Sequence, residues 1–378
     1  MSLTVKKKLW KSKMKKILCV LCALFAITGC DREQSNKPVV KIAFLYPMSG
    51  DGAIFGATAK KISDWYISEF EKNNPNAKYK YEVIFEDAQW SASKTATLAN
   101  KVIAADNADA MLSMTSSQAM VMNPIAEKNK VIQLSFAADP KAANGDFNFR
   151  IATSAKNVAE RTFEYMNKNK LKTFSTVVLT SDAGSVAVID EFKHVALENK
   201  NVKMKSAYSI NPGDKNFDVM LAKIKKESPD ILVVEALPPE SDLFLRAMYR
   251  ANVKIPVTGI WTIPALTDKS LVNGMWYVDD AAATPEFVKQ FERVIGGKAT
   301  NYGEFAYTML NVLTNAWENA DAESEHKPIP ENVVKSIIEN TEGLKTPLGT
   351  LTIDSDGGIA LPGVMKQIKN GEQVIIEE

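Results

Sequence analysis

From residue 39 onward the sequence alternates short apolar runs with segments of helical periodicity, and it does so twice over. Residues 39–46 form an apolar run, and 57–70 carry Ile62, Trp65, Tyr66 and Phe70 at helical spacing. Residues 81–85 are rich in β-formers, 95–105 read as helix, and 110–113, 120–128 and 131–136 repeat the order strand, helix, strand. A second series runs through 176–179, 186–197, 202–208, 217–226, 231–234, 242–250 and 256–259. Such alternation predicts parallel sheets covered by helices on both faces. One sheet of this kind uses about 130 residues, so the length fits two similar lobes. Helical patterns follow at 285–294, 305–319 and 331–340. The tail, 349–378, reads as β, with a hairpin turn at Lys369-Asn370-Gly371-Glu372.

The N-terminus has a different logic. Lys6, Lys7, Lys8, Lys11, Lys13, Lys15 and Lys16 precede an apolar run, 17–27, that closes on Thr28, Gly29 and Cys30. A basic start, about 10 apolar residues and small residues before a cut predict a secretory signal over 1–29. Met14 opens such a signal by itself. The run is too short to span a bilayer, which takes about 20 apolar residues. Ile27-Thr28-Gly29-Cys30 resembles a bacterial lipobox, which implies that Cys30 is lipidated and becomes the first mature residue. The alternative is a plain cleaved signal with Cys30 incidental. Residues 30–38 are polar and end in Pro38, as a tether between lipid and fold would. Asp31 resembles the signal that retains lipoproteins in the inner membrane.

Composition removes several function classes. The three cysteines, Cys19, Cys22 and Cys30, all lie at the front, so the mature domain has neither disulfide nor thiol chemistry. Without the seven signal-region lysines, 39 basic residues face 45 acidic ones, a net charge of −6. That balance lacks the clustered basic surface that nucleic acid requires. The only histidines are His194 and His326, in charged settings away from strand ends, so neither a His/Cys metal cluster nor a Ser–His couple is available. No phosphate-binding glycine signature occurs. No cofactor and no enzymatic activity are expected.

The order of motifs resembles the type I periplasmic binding proteins, specifically the branched-chain amino-acid-binding family of ABC importers. The resemblance is carried by Tyr46-Pro47-Met48-Ser49-Gly50 with Phe55-Gly56, by Glu86-Asp87, by Asn123-Pro124-Ile125-Ala126-Glu127 and by Phe149-Arg150. Phe217-Asp218, Pro229-Asp230-Ile231 and Thr346-Pro347-Leu348-Gly349-Thr350 continue it. It implies an α/β fold of two doubly wound parallel-sheet lobes joined by three crossings, near 150, 277–281 and 346–349. Lobe one would then be 39–150 plus 281–345, and lobe two 151–280 plus 346–378. It also implies a lipid-anchored monomer outside the cytoplasmic membrane that captures a small solute and delivers it to an ABC permease in the inner membrane. A bilobed lipoprotein that regulates a protein partner, such as a cell-wall synthase, is the rival reading.

Ligands of open parallel sheets sit beyond the carboxyl ends of the strands. Ser116 and Ser117 open a helix there and are candidate holders of a carboxylate, or simply its cap. In the amino-acid binders the next loop offers a backbone amide and a hydroxyl to the ligand carboxylate; here it reads Ala137-Ala138, so the hydroxyl is missing. On the amine side, the family's glutamate and aromatics are replaced by Ile260-Trp261, Leu237 and Ala183-Gly184. Glu235 or Asp182 would have to supply the buried countercharge that an ammonium needs. For Glu235 the alternative is a strand-end carboxylate solvated in the cleft. Phe55 matches a lid aromatic of the family, and Trp90 and Trp261 occupy equivalent loops of opposite lobes. The resemblance implies a solute like a branched-chain amino acid, while these departures point to an apolar or aromatic carboxylate or amide rather than leucine.

Overall fold

The computed structural model describes residues 37–260, 262–266, 268–280, 283–297, 302–322, 326–353, 358–361 and 363–377. The chain divides into Met1–Pro38 and Val39–Glu378, and every element below belongs to the second part. The expected signal segment and Cys30 lie outside the described residues.

Five parallel strands open the fold: β1 (Val39–Tyr46), β2 (Lys80–Asp87), β3 (Ala110–Ser113), β4 (Ile132–Phe136) and β5 (Asn148–Ala152). They are connected by α1 (Ala53–Asn73), α2 (Ala92–Ala104) and α3 (Ser116–Asn129). Every residue of β3, β4 and β5 is buried. A parallel sheet covered on both faces has no solvent side, so even the polar residues of these strands, Ser113, Gln133, Ser135, Asn148 and Arg150, are buried.

The chain then builds a second sheet from β6 (Thr173–Leu179), β7 (Lys203–Ile210), β8 (Ile231–Glu235) and β9 (Val257–Thr258), all parallel. Around it lie α4 (Ala155–Lys168), α5 (Ala183–Glu198), α6 (Asp218–Glu227), α7 (Glu240–Arg250) and the short α8 (Thr262–Ala265), followed by β10 (Trp276–Asp279). Val233 and Val234 show the alternation that covers both faces. Val233 joins Phe163, Val188 and Phe192 in one core, and Val234 joins Phe217 and Phe244 in the other.

α9 (Pro285–Ile295), α10 (Gly303–Asn319) and α11 (Pro330–Thr341) return to the first sheet. Phe305, Met309 and Leu313 of α10 share a core with Phe44 and Ile62, and the Tyr66 and Thr314 hydroxyls bond across α1 and α10 at 2.5 Å. Next come the hairpin β11 (Lys345–Thr346) and β12 (Gly349–Thr350), then β13 (Thr352–Ile353), β14 (Ile359–Ala360), β15 (Val364–Lys369) and β16 (Glu372–Glu377). The first sheet runs β13-β14-β5-β4-β3-β1-β2, the second β7-β6-β8-β9, and β10-β15-β16 form an antiparallel third. The hairpin expected at 369–372 is present, with Asn370 and Gly371 at φ 54° and 79°, the positive values that a two-residue primed turn demands.

The chain passes between the two parallel sheets three times: from β5 to α4, from β10 to α9, and from β14 to β15. The third passage corrects the expectation. Residues 346–349 turn within a hairpin and β14 pairs with β5, so β13 and β14 extend the first sheet and the passage follows β14. Residues beside all three passages meet. The Thr153 amide donates to Asp280 Oδ1 at 2.9 Å, and a Cβ on Gly363 would lie 2.9 Å from the Thr153 methyl.

Candidate functional site

Each parallel sheet has one place where strand order reverses, and the loops leaving the strands there open a crevice. In the first sheet this lies between β1 and β3, in the second between β6 and β8. After β1 and β3 come Phe55, in the first turn of α1, and Ser116–Ser117, which open α3; after β6 comes Asp182, and Glu235 ends β8. Residues chosen from sequence thus fall at the reversal points of both lobes.

On the first lobe the rim is tied by Asp87. Its Oδ1 accepts the Met48 amide at 2.9 Å and the Gln89 amide at 3.3 Å, and its Oδ2 accepts the Ser49 hydroxyl at 2.5 Å. Burial works against this charge, but the Ser49 and Met48 hydrogen bonds and Lys94 outweigh it and lower the carboxyl's pKa. Gln89 and Trp90 are consecutive non-glycine residues with φ 50° and 56°, a sparsely populated conformation that the knot holds in place. The Trp90 indole lies over Gly52, where any Cβ would collide with it.

From Trp90 a row of rings leads inward. Phe55 meets Trp90 edge-on at 5.4 Å and stacks with Tyr302 at 6.2 Å; Tyr302 packs on Phe136 at 5.5 Å, and Phe136 on Phe305 at 4.2 Å. The row passes from an indole 37% exposed to a phenyl 2% exposed. Sequence reasoning missed Phe136 and Tyr302. Phe136 ends β4, and Tyr302 immediately precedes α10 in a left-handed conformation. Only tertiary packing brings the latter to the rim.

At the start of α3 the cap is Thr115, whose side chain accepts the Gln118 amide at 3.2 Å. This corrects the alternative that Ser116 or Ser117 serves as cap. Ser116 instead accepts the Asp139 amide at 3.2 Å and so holds the 137–139 loop, while Ser117 is half-buried. Ala137 clusters with Ala119 and Ala142, whereas Ala138 joins the apolar core of Val158, Val188 and Ile260 on the second lobe. Ala138, where the resemblance implied a hydroxyl, is thus part of an apolar cluster of the second lobe.

On the second lobe Asp182 caps α5, accepting the Ser185 amide at 2.8 Å. Glu235 is fully buried and its Oε1 accepts the Ile260 amide at 2.5 Å, which corrects the reading of a solvated carboxylate. A Cβ on Gly259 would collide with the Val234 carbonyl and lie 2.9 Å from Glu235 Oε1. Thr262 completes the staple, accepting the Ala236 amide and donating to the Val234 carbonyl. Trp261, between these anchors, lies outside the described residues. His194 is exposed on α5 beside Glu198. Among the described residues no group of three His, Cys, Asp or Glu side chains is placed to hold a metal ion, and no helix is long and apolar enough to cross a membrane.

Comparison with known proteins agrees with this architecture. The family model described as periplasmic binding protein matches residues 39–372. A Leu/Ile/Val-binding protein homolog of Brucella melitensis is 21% identical over 334 residues, covering 85% of this chain and 89% of the relative. A leucine binding protein from Thermotoga maritima superposes with a TM-score of 0.76 at 21% identity, covering 89% of this chain and 97% of that one. A solute binding protein from R. palustris, in complex with 4-hydroxybenzoate, gives 0.77 at 16% identity, with 90% and 96% covered. With the match running from β1 into β16 and two crevice-bearing parallel sheets behind it, the chain belongs to the periplasmic binding protein family.

Proposed function

We propose that this chain is the solute-binding component of an ABC importer and captures a small aromatic or apolar carboxylate, or its amide, between its two lobes. The observation that carries the reading is the ring row from Trp90 through Phe55 to Phe136, set against the hydroxyl-bearing start of α3. Free N–H groups and the Ser117 hydroxyl there suit a carboxylate, and the rings suit a flat apolar body. Ser116 and the Ala137–Ala138 backbone shape that wall. On the second lobe, Asp182 and Glu235 would act on the solute by fixing their loops, and Trp261 would be the aromatic contact.

Closure about the three crossings would bury the solute, and an inner-membrane permease would recognise the closed form. Similarity to a 4-hydroxybenzoate binder and to leucine binders supports a carboxylate-bearing solute and a non-enzymatic role. Lipidation at Cys30, a periplasmic or cell-surface location and a monomeric state complete the reading.

The test is a thermal-shift screen of the exported domain against amino acids, aromatic acids, amides and short fatty acids. A selective ligand raises the midpoint by mass action. Stabilisation by aromatic acids is expected. A response confined to leucine, isoleucine and valine would sink the aromatic class, and a folded protein that answers to nothing would favour a protein-binding lipoprotein.

A further inference from the structure

Beside the hinge, two tyrosines from opposite lobes hold hydroxyls that are buried and have no hydrogen-bond partner among the described residues: Tyr277 on β10 and Tyr302 ahead of α10. Tyr277 is fully buried. It lies two residues from Asp279 on the same face of β10, and Lys366 of β15 sits opposite it in the ladder. Lys366 Nζ binds Asp279 Oδ2 at 2.8 Å, with side chains only 15% and 8% exposed. The Tyr302 hydroxyl lies within electrostatic reach of Tyr277, Asp279, Asp280 and Glu304. A buried hydroxyl left unmet is costly, so such an atom marks a place where a partner belongs.

We propose that this hinge end of the cleft receives an uncharged or cationic hydrogen-bonding group of the solute, so that the solute is an aromatic acid bearing a hydroxyl or amino group away from its carboxylate. The inference rests on the aromatic-carboxylate reading above and deepens it. The charges set the choice. Asp279 and Asp280 face Lys366, an acidic excess that repels a second carboxylate. Burial keeps both phenols protonated, each able to donate or accept one bond. The ring of Tyr302 also lies in the row with Phe55 and Phe136, so one side chain would touch the solute's ring and its distal polar group.

Titration calorimetry of the full chain in detergent tests this with benzoate, 4-hydroxybenzoate, 4-aminobenzoate and terephthalate. The hydroxy and amino acids are expected to bind about tenfold tighter than benzoate, the weight of one buried hydrogen bond, with terephthalate weakest. In Tyr302→Phe and Tyr277→Phe the ratio of 4-hydroxybenzoate to benzoate affinity should fall toward one, a readout within each variant that general loss of stability does not mimic. Benzoate or terephthalate binding as tightly as 4-hydroxybenzoate, or a ratio unchanged in both variants, overturns the proposal while leaving the aromatic reading intact. If leucine binds and none of the four ring acids does, the aromatic reading itself fails and this proposal falls with it.

Discussion

Asp87 does more for the cleft rim than any ring it supports. One carboxylate serves two amides and a hydroxyl from two loops, and the strained pair Gln89–Trp90 follows directly. Asp87→Asn keeps the shape but removes one acceptor and the charge, and is expected to cost about 1–2 kcal/mol. Trp90 fluorescence during urea unfolding would report both the loss and a loosened indole. Because the folded carboxyl titrates below its unfolded value, its contribution is present above about pH 4 and fades as pH falls through the lowered value. Phe55 was legible at this scale because the Tyr46–Gly56 loop has a recognisable pattern. Tyr302 was not, since nothing local marks a residue whose ring partners lie at 55 and 136.

Among the elements, α3 shows how a short hydroxyl run divides its labour. Thr115, Ser116 and Ser117 are all competent caps by residue type, so sequence alone could not assign the task. Backbone decides it: Thr115 is extended, at φ −140° and ψ 153°, which places its oxygen over the Gln118 amide. Thr115→Ala should cost about 1 kcal/mol in urea denaturation. Ser116→Ala should instead free the Asp139 amide and weaken ligand capture more than stability. The last hairpin was legible because Asn-Gly dictates its turn chemistry. β13 and β14 were not, being two residues each, with β13 paired to β14 and β14 to β5, some 200 residues earlier.

For the whole molecule the α/β class and the paired sheets follow from alternation, which is a global pattern and survives local ambiguity. The hinge does not, because it joins β10, β15 and α10, segments distant in sequence. Burial pushes Glu304 above the usual carboxylate range, and Lys366 only partly offsets this. A raised acid leaves the folded chain holding a proton that the unfolded chain releases, so stability declines as pH rises from about 4 through the raised value. Glu304→Gln should flatten that decline, as denaturation midpoints followed from about pH 4 to pH 8 would reveal. An unaltered slope would mean the carboxyl is charged in the hinge.

The three passages also set an order of manufacture. β13 and β14 extend the first sheet, and β15 and β16 complete the sheet begun by β10, so both lobes wait for strands made after every helix described here. A nascent chain halted before Thr352 would have every helix described here yet an unfinished edge on each half. Such a polypeptide stays pliable until β13 to β16 have been made, and a truncation before Thr352 would be felt in both lobes at once.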